Sequence, residues 1–167
     1  MDYLQQNLSN LTSMMNSIIR REVDCSIDDM LNANCLFISG SESFIMMRDS
    51  FSEKTNKIGI RTKTLSLTEE IPTINNLDTL ICISKYGEEQ ELTNIAEIFK
   101  KEGSRVISIT DRRSTLVKHS DRIIGIDCSL EKEDSKQSLD VLFSQSVYIL
   151  LDSIIENLSK RVPTKIM

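Results

Sequence analysis

The residues with the most chemical promise are hydroxyls in two short loops. Ser39, Ser41 and Ser43 fall within the stretch SGSES (39–43), and Ser84 opens SKYGEE (84–89). Each loop follows an apolar run, CLFI in one case and LICI in the other, and each precedes a helix-forming segment. A helix start presents unpaired backbone N–H groups and the positive end of the helix dipole. Serine hydroxyls beside such amides suit a phosphate or another anion. Lys85, Tyr86, Gly87 and Glu89 complete the candidate ligand positions of the second loop. An ordinary reading stands beside this one. Serines after strands also serve as helix N-caps. Glu42, Glu88 and Glu89 are also what a first helical turn favours, although near a phosphate they would repel it. Lys85 either offsets that repulsion or is simply solvated.

The elements that must position these loops follow from the apolar pattern. Leu4, Leu8, Leu11, Met14 or Met15, Ile18 and Ile19 recur at three- and four-residue spacing, which predicts one long helix over about 3–23. Ser26, with Asp29 three residues on, reads as the N-cap of a short second helix. Strands are expected at about 35–38, 62–67, 79–83, 105–110 and 122–126. Helices are expected from the first loop to Ile58, over about 88–102, as a short turn after Ser114, and over about 137–158. Gly59 and Gly103 sit where helices stop. Asp127–Lys136 reads as a charged loop, and the tail after Lys160 as frayed, with Pro163 in it. Strands and helices alternate, and nearly every strand is a continuous apolar run, as in parallel sheets covered on both faces. The expectation is one α/β domain: a three-layer α-β-α sandwich around a five-stranded parallel sheet. Residues 1–34 form N-terminal helices, 35–160 the core and 161–167 a tail. With strand order 2-1-3-4-5, ligands bind where the order reverses, between strands one and three. The two serine loops leave those two strands, so topology brings them to one crevice. Asp111, Arg112 and Arg113 follow strand four at the same sheet edge, first as a solvated loop, otherwise with the arginines reaching a sugar phosphate or an acidic neighbour.

Composition narrows the function classes. The chain has 167 residues, 40% of them hydrophobic and 27% charged, which supports a packed core. Its net charge of −5 argues against a nucleic-acid surface. No apolar run approaches the ~18 residues of a membrane span. The first residues lack a signal-peptide pattern, so a cytoplasmic location is expected. Cysteines 25, 35, 82 and 128 form no CxxC pair, and His119 is the single histidine, so no metal is expected. A phospho-receiver needs an aspartate where Ser84 stands. The first loop lacks the three spaced glycines of a dinucleotide site, and no GxSxG elbow occurs. No cofactor is implied.

Four segments resemble the sugar isomerase (SIS) domain family: LFISGSES (36–43), LICISKYGEEQELTNIAEIFKKEGSRVISIT (80–110), STLVKHSDRIIGI (114–126) and VLFSQSVYILLDSIIENL (141–158). Together they cover roughly residues 31–158. The nearest likeness within the family is to the effector-sensing domain of RpiR-type transcription regulators, where a long helix precedes the SIS domain. The resemblance implies sugar-phosphate binding at strands one and three by a homodimer or homotetramer. The composition leaves no membrane contact expected, and no nucleic-acid contact by this chain is expected either, since nothing in it reads as the regulators' helix-turn-helix domain. Ser43, Ser84 and Gly87 match the family's loop pattern. Ser39 and Ser41 stand where glycines are typical, Tyr86 replaces a serine and Glu89 replaces a threonine. Three functions are therefore expected in this order: a non-catalytic phosphosugar sensor, a sugar-phosphate aldose–ketose isomerase, and an interaction module whose pocket has lost its ligand. No residue is assigned a catalytic role.

Overall fold

Five parallel strands in the order β2-β1-β3-β4-β5 form the spine of the molecule: β1 (Leu36–Gly40), β2 (Thr62–Thr64), β3 (Thr79–Ile83), β4 (Arg105–Thr110) and β5 (Arg122–Gly125). The structure is a computed structural model, and it describes residues 2–130 and 138–163. All four strand pairings are parallel, and the β1–β3 register runs from Leu36 opposite Thr79 to Gly40 opposite Ile83. The apolar runs fill both faces by alternation. Leu36, Ile38, Ile81, Ile83, Ile107, Ile109 and Ile124 form one core with α3 (Ile45–Lys57) and α5 (Leu139–Arg161), through Phe51, Phe143, Val147 and Leu151. Phe37, Leu80, Cys82 and Val106 form the other with α4 (Gln90–Lys101), through Leu92, Ile95, Ala96 and Phe99.

The N-terminal segment differs from the single long helix expected. It forms two helices, α1 (Tyr3–Met15) and α2 (Arg20–Asn32). Asn16 and Ser17 are weak helix formers. The Ser17 hydroxyl donates to the Met14 carbonyl at 2.6 Å and accepts the Asp127 N–H at 2.8 Å, which holds the turn to the end of the last strand. Ser26 is not an N-cap. It lies inside α2, fully buried, and its hydroxyl donates to the Glu22 carbonyl at 2.8 Å. The break lets α2 pack beside β5. Glu22 there takes both terminal nitrogens of Arg112 at 2.6 and 2.8 Å, and also the Gly125 N–H at 3.1 Å. Asp29 takes Arg122 at 2.8 Å.

Smaller differences lie at element ends. Strand β1 runs on to Gly40, so the first loop is shorter than expected. Strand β2 is only three residues, and the Asn56 side chain holds it: Thr62 N–H donates to Asn56 Oδ1 at 2.8 Å and Asn56 Nδ2 donates to the Thr62 carbonyl at 2.9 Å. Ser114 caps its short 3-10 helix (Thr115–His119) as expected, accepting the Leu116 N–H at 3.1 Å. Helix α5 begins behind the cap Ser138, and most of the charged loop before it and the last residues of the tail fall outside the described residues. No helix among the described residues is long and apolar enough to cross a membrane.

Candidate functional site

The carboxyl ends of β1 and β3 face one cleft of about 360 Å³, lined by Ser41, Ser43, Ser84, Lys85, Tyr86, Glu88, Glu89 and Asp140. Its apolar wall is Phe44 against Phe143, edge to face with centroids 5.6 Å apart. Strand β1 delivers Ser41 through a one-residue connection into a 3-10 turn (Glu42–Phe44), and β3 delivers Ser84. The two loops therefore meet, as the strand order requires.

Glu89 organises the meeting point. It is the N-cap of α4, but its side chain makes no bond to its own helix amides. It crosses the cleft instead. Ser41 Oγ donates to Glu89 Oε1, and Ser84 Oγ donates to Glu89 Oε2 at 2.7 Å. Ser84 Oγ also accepts the Gly87 N–H at 3.0 Å, so its single donor and one of its two acceptor positions are used. Gly87 does not line the cleft; it shapes the loop from behind. Its φ of +69° is a left-handed conformation, and an added Cβ would lie 2.6 Å from Thr115 Oγ1 and 2.7 Å from Ser114 Oγ. Thr115 clamps the same turn, donating its hydroxyl to the Gly87 carbonyl at 2.6 Å and its N–H to the Tyr86 carbonyl at 3.2 Å.

Lys85 pairs with Asp140 in the first turn of α5 and lies 5.1 Å from the centre of the Tyr86 ring. Burial lowers the lysine pKa, but the hydrogen bond and charge of Asp140 outweigh it and the net shift is upward. Burial raises the Tyr86 phenol above its ordinary value, with the Cys128 thiol adding to it. Arg113 approaches the same ring at 5.7 Å and is held by Asp111 through 2.9 and 3.2 Å contacts. Asp111 is 1% exposed. Burial raises its pKa, yet the bonds from Arg113 and the Cys128 N–H prevail, and the carboxyl stays below its usual range. The sequence leaves Asp111–Arg113 open between a solvated loop and a reach toward an acid. Here Arg113 holds its own Asp111, and Arg112 reaches Glu22.

Ser39 is placed differently from the expected loop position. It is the fourth residue of β1, fully buried, and does not line the cleft; the reason is that the strand continues to pair with β3 through Gly40 opposite Ile83. Ser43 is exposed at the rim. Asp140, Phe44, Phe143 and Ser144 join the cleft without having been singled out in the sequence. Asp140 lies 55 positions from Lys85, and only its place beside the Ser138 cap hinted at a helix start.

The chemistry available is hydrogen-bond donation and charge. His119 lies away from the cleft, 3.6 Å from Glu97. The Cys82 and Cys128 thiols are both pushed up to about 12, in each case chiefly by burial, so neither is a nucleophile at neutral pH. No cluster of metal-ligating side chains occurs among the described residues.

Comparison with known proteins gives one family and a consistent set of folds. The SIS domain profile matches residues 53–151. A protein of Methanococcus jannaschii, whose structure was taken to imply a 3-hexulose-6-phosphate isomerase, superposes with a TM-score of 0.76 at 23% identity, covering 96% of this chain and 89% of that one. The sugar isomerase domain of an RpiR transcription factor from Sphaerobacter thermophilus gives 0.72 at 16% identity, covering 95% and 90%. The Vibrio vulnificus NanR protein, complexed with ManNAc-6P, gives 0.74 at 14% identity, covering 95% of this chain and 61% of that one.

Proposed function

This chain belongs to the SIS domain family, and from that premise we propose that its cleft binds a phosphorylated sugar as a non-catalytic sensing module, working as a homo-oligomer. One observation carries the reading. Hydroxyls from two separate loops, Ser41 and Ser84, converge on the two oxygens of a single carboxylate. A pair of donors spaced for two oxygens of one carboxylate is also spaced for two oxygens of one phosphate. Lys85 stands beside them as the counter-charge. The NanR complex with ManNAc-6P supports a sugar phosphate as ligand class, and the RpiR domain supports a regulatory setting. Sensing is favoured over turnover because aldose–ketose isomerisation needs a base presented to the sugar carbons. Glu89 is turned to the two serine hydroxyls, one on each oxygen, and His119 is elsewhere. In a sensor, ligand binding acts by favouring one subunit packing over another.

The isomerase reading rests on Glu88, an exposed carboxylate lining the same cleft, and on the Methanococcus neighbour. A thermal-shift panel of sugar phosphates, with inorganic phosphate as control, separates the readings. A ligand at 100 times its dissociation constant adds about 2.7 kcal/mol of stability. The expected result is a specific hit that disappears in Ser84→Ala and gives no turnover in a coupled isomerisation assay. Turnover that is lost in Glu88→Gln would establish the isomerase instead. A panel with no hit would leave an interaction module.

A further inference from the structure

Building on the phosphosugar reading of the cleft, we propose that Glu89 determines its specificity by acting as a built-in occupant of the anion seat, which an incoming phosphate must displace. An acid at a helix N-cap ordinarily turns back to accept its own helix amides. Glu89 does not; it spans to Ser41 on one loop and Ser84 on the other, with one carboxylate oxygen for each. The lysine that would neutralise a phosphate is engaged in the same way, by Asp140. Both halves of an anion site, the donors and the cation, are thus satisfied from within the chain.

The exchange has a direction. A phosphate that takes over Ser41, Ser84 and Lys85 releases Glu89 and Asp140 toward the open side of the cleft. Asp140 is already mostly exposed there. The charges facing the seat are Lys85 against Glu88, Glu89 and Asp140, so an unmodified cleft meets a dianion with an excess of negative charge. Glu89 therefore sets a threshold: only a ligand whose sugar portion adds enough contact displaces it, and free inorganic phosphate does not. Removing the carboxylate lowers that threshold for any phosphate.

The test is calorimetric titration of inorganic phosphate into the full chain and into Glu89→Thr and Glu89→Gln. Glu89→Thr empties the seat and adds a hydroxyl, while Glu89→Gln keeps the side-chain length and removes only the charge. Thermal unfolding of each variant without phosphate checks that it is folded. The expected result is at least about tenfold tighter phosphate binding in both variants, equivalent to about 1.4 kcal/mol. Equal affinity in all three proteins, or no binding by any, overturns the proposal. The two readings fail separately. A sugar phosphate that binds the parent protein through Ser84, with no gain in either Glu89 variant, removes the seat and leaves the function. Phosphate gained by the variants, with no sugar phosphate bound by any form, keeps the seat and removes the function.

Discussion

Replacing Gly87 with alanine tests how the second loop is held. Two costs combine. The residue has φ +69°, and a left-handed conformation costs a non-glycine residue about 1–2 kcal/mol. The new Cβ would also stand 2.6 Å from Thr115 Oγ1, 2.7 Å from Ser114 Oγ and 2.9 Å from the Leu116 nitrogen. These atoms belong to a 3-10 turn tied to the loop by two hydrogen bonds, so they cannot step aside freely. Overpacking of this kind costs about 1–3 kcal/mol. Together they predict a loss of about 2–5 kcal/mol. At roughly 2–4 °C per kcal/mol, a 3 kcal/mol loss lowers Tm by about 6–12 °C. Gly59 supplies an internal control. It has φ +94°, but an added Cβ would meet only Val162 Cγ1, at 4.0 Å. Gly59→Ala therefore carries the backbone cost alone, about 1–2 kcal/mol. Thermal denaturation followed by circular dichroism reads both. If the two variants lose stability equally, the packing of Gly87 against the Thr115 turn contributes nothing and the argument is refuted.

Asp111→Asn keeps the shape of a buried acceptor but cannot serve Arg113 and the Cys128 N–H together, and about 2 kcal/mol is expected to be lost at neutral pH. The folded carboxyl titrates below its unfolded value, so its contribution is complete above about pH 3.9 and fades as pH falls through the folded value. Urea titrations of parent and variant should therefore converge in strong acid; a gap that stays constant down to pH 2 excludes this origin. Glu22→Gln is expected to cost about 1 kcal/mol, because the pair with Arg112 is partly exposed. The difference from the parent protein should shrink as salt is added, and a salt-independent difference would show that packing, not charge, is lost.

The sheet was readable because its central strands β1 and β3 are buried on both sides. Runs such as CLFI and LICI have no polar face to confuse with a helix stripe, and the order of strands and helices then leaves little topological freedom. The meeting of the two serine loops follows from that order. The N-terminal break was hidden for the opposite reason. The apolar stripe from Leu4 to Ile18 keeps helical spacing straight through Asn16 and Ser17. What holds the chain in that turn is the Asp127 N–H donating to Ser17 Oγ from 110 positions away. Ser39 was misplaced by two residues' worth of strand, set by pairing with β3 rather than by local preference. Glu89 could be seen as an acid at a helix start, but its bond to Ser41 joins residues 48 apart and has no local signature.

Two contacts noted with the fold bear on how copies of this protein can meet. A parallel sheet ends in two rows of backbone groups that could accept another strand. Here the Asn56 amide covers both polar groups of Thr62 on the β2 side, and the Glu22 carboxylate covers the Gly125 N–H on the β5 side. Each lateral border of the sheet is thus sealed at that point by a side chain from an adjacent helix. Ribbon-to-ribbon growth is blocked there, which protects against fibre-like association. The helical layers carry no such seal, and Met46 on α3 and Tyr148 on α5 stand exposed there. A substitution such as Asn56→Ala would then show itself first as aggregation at high concentration, before any change in what the cleft can hold.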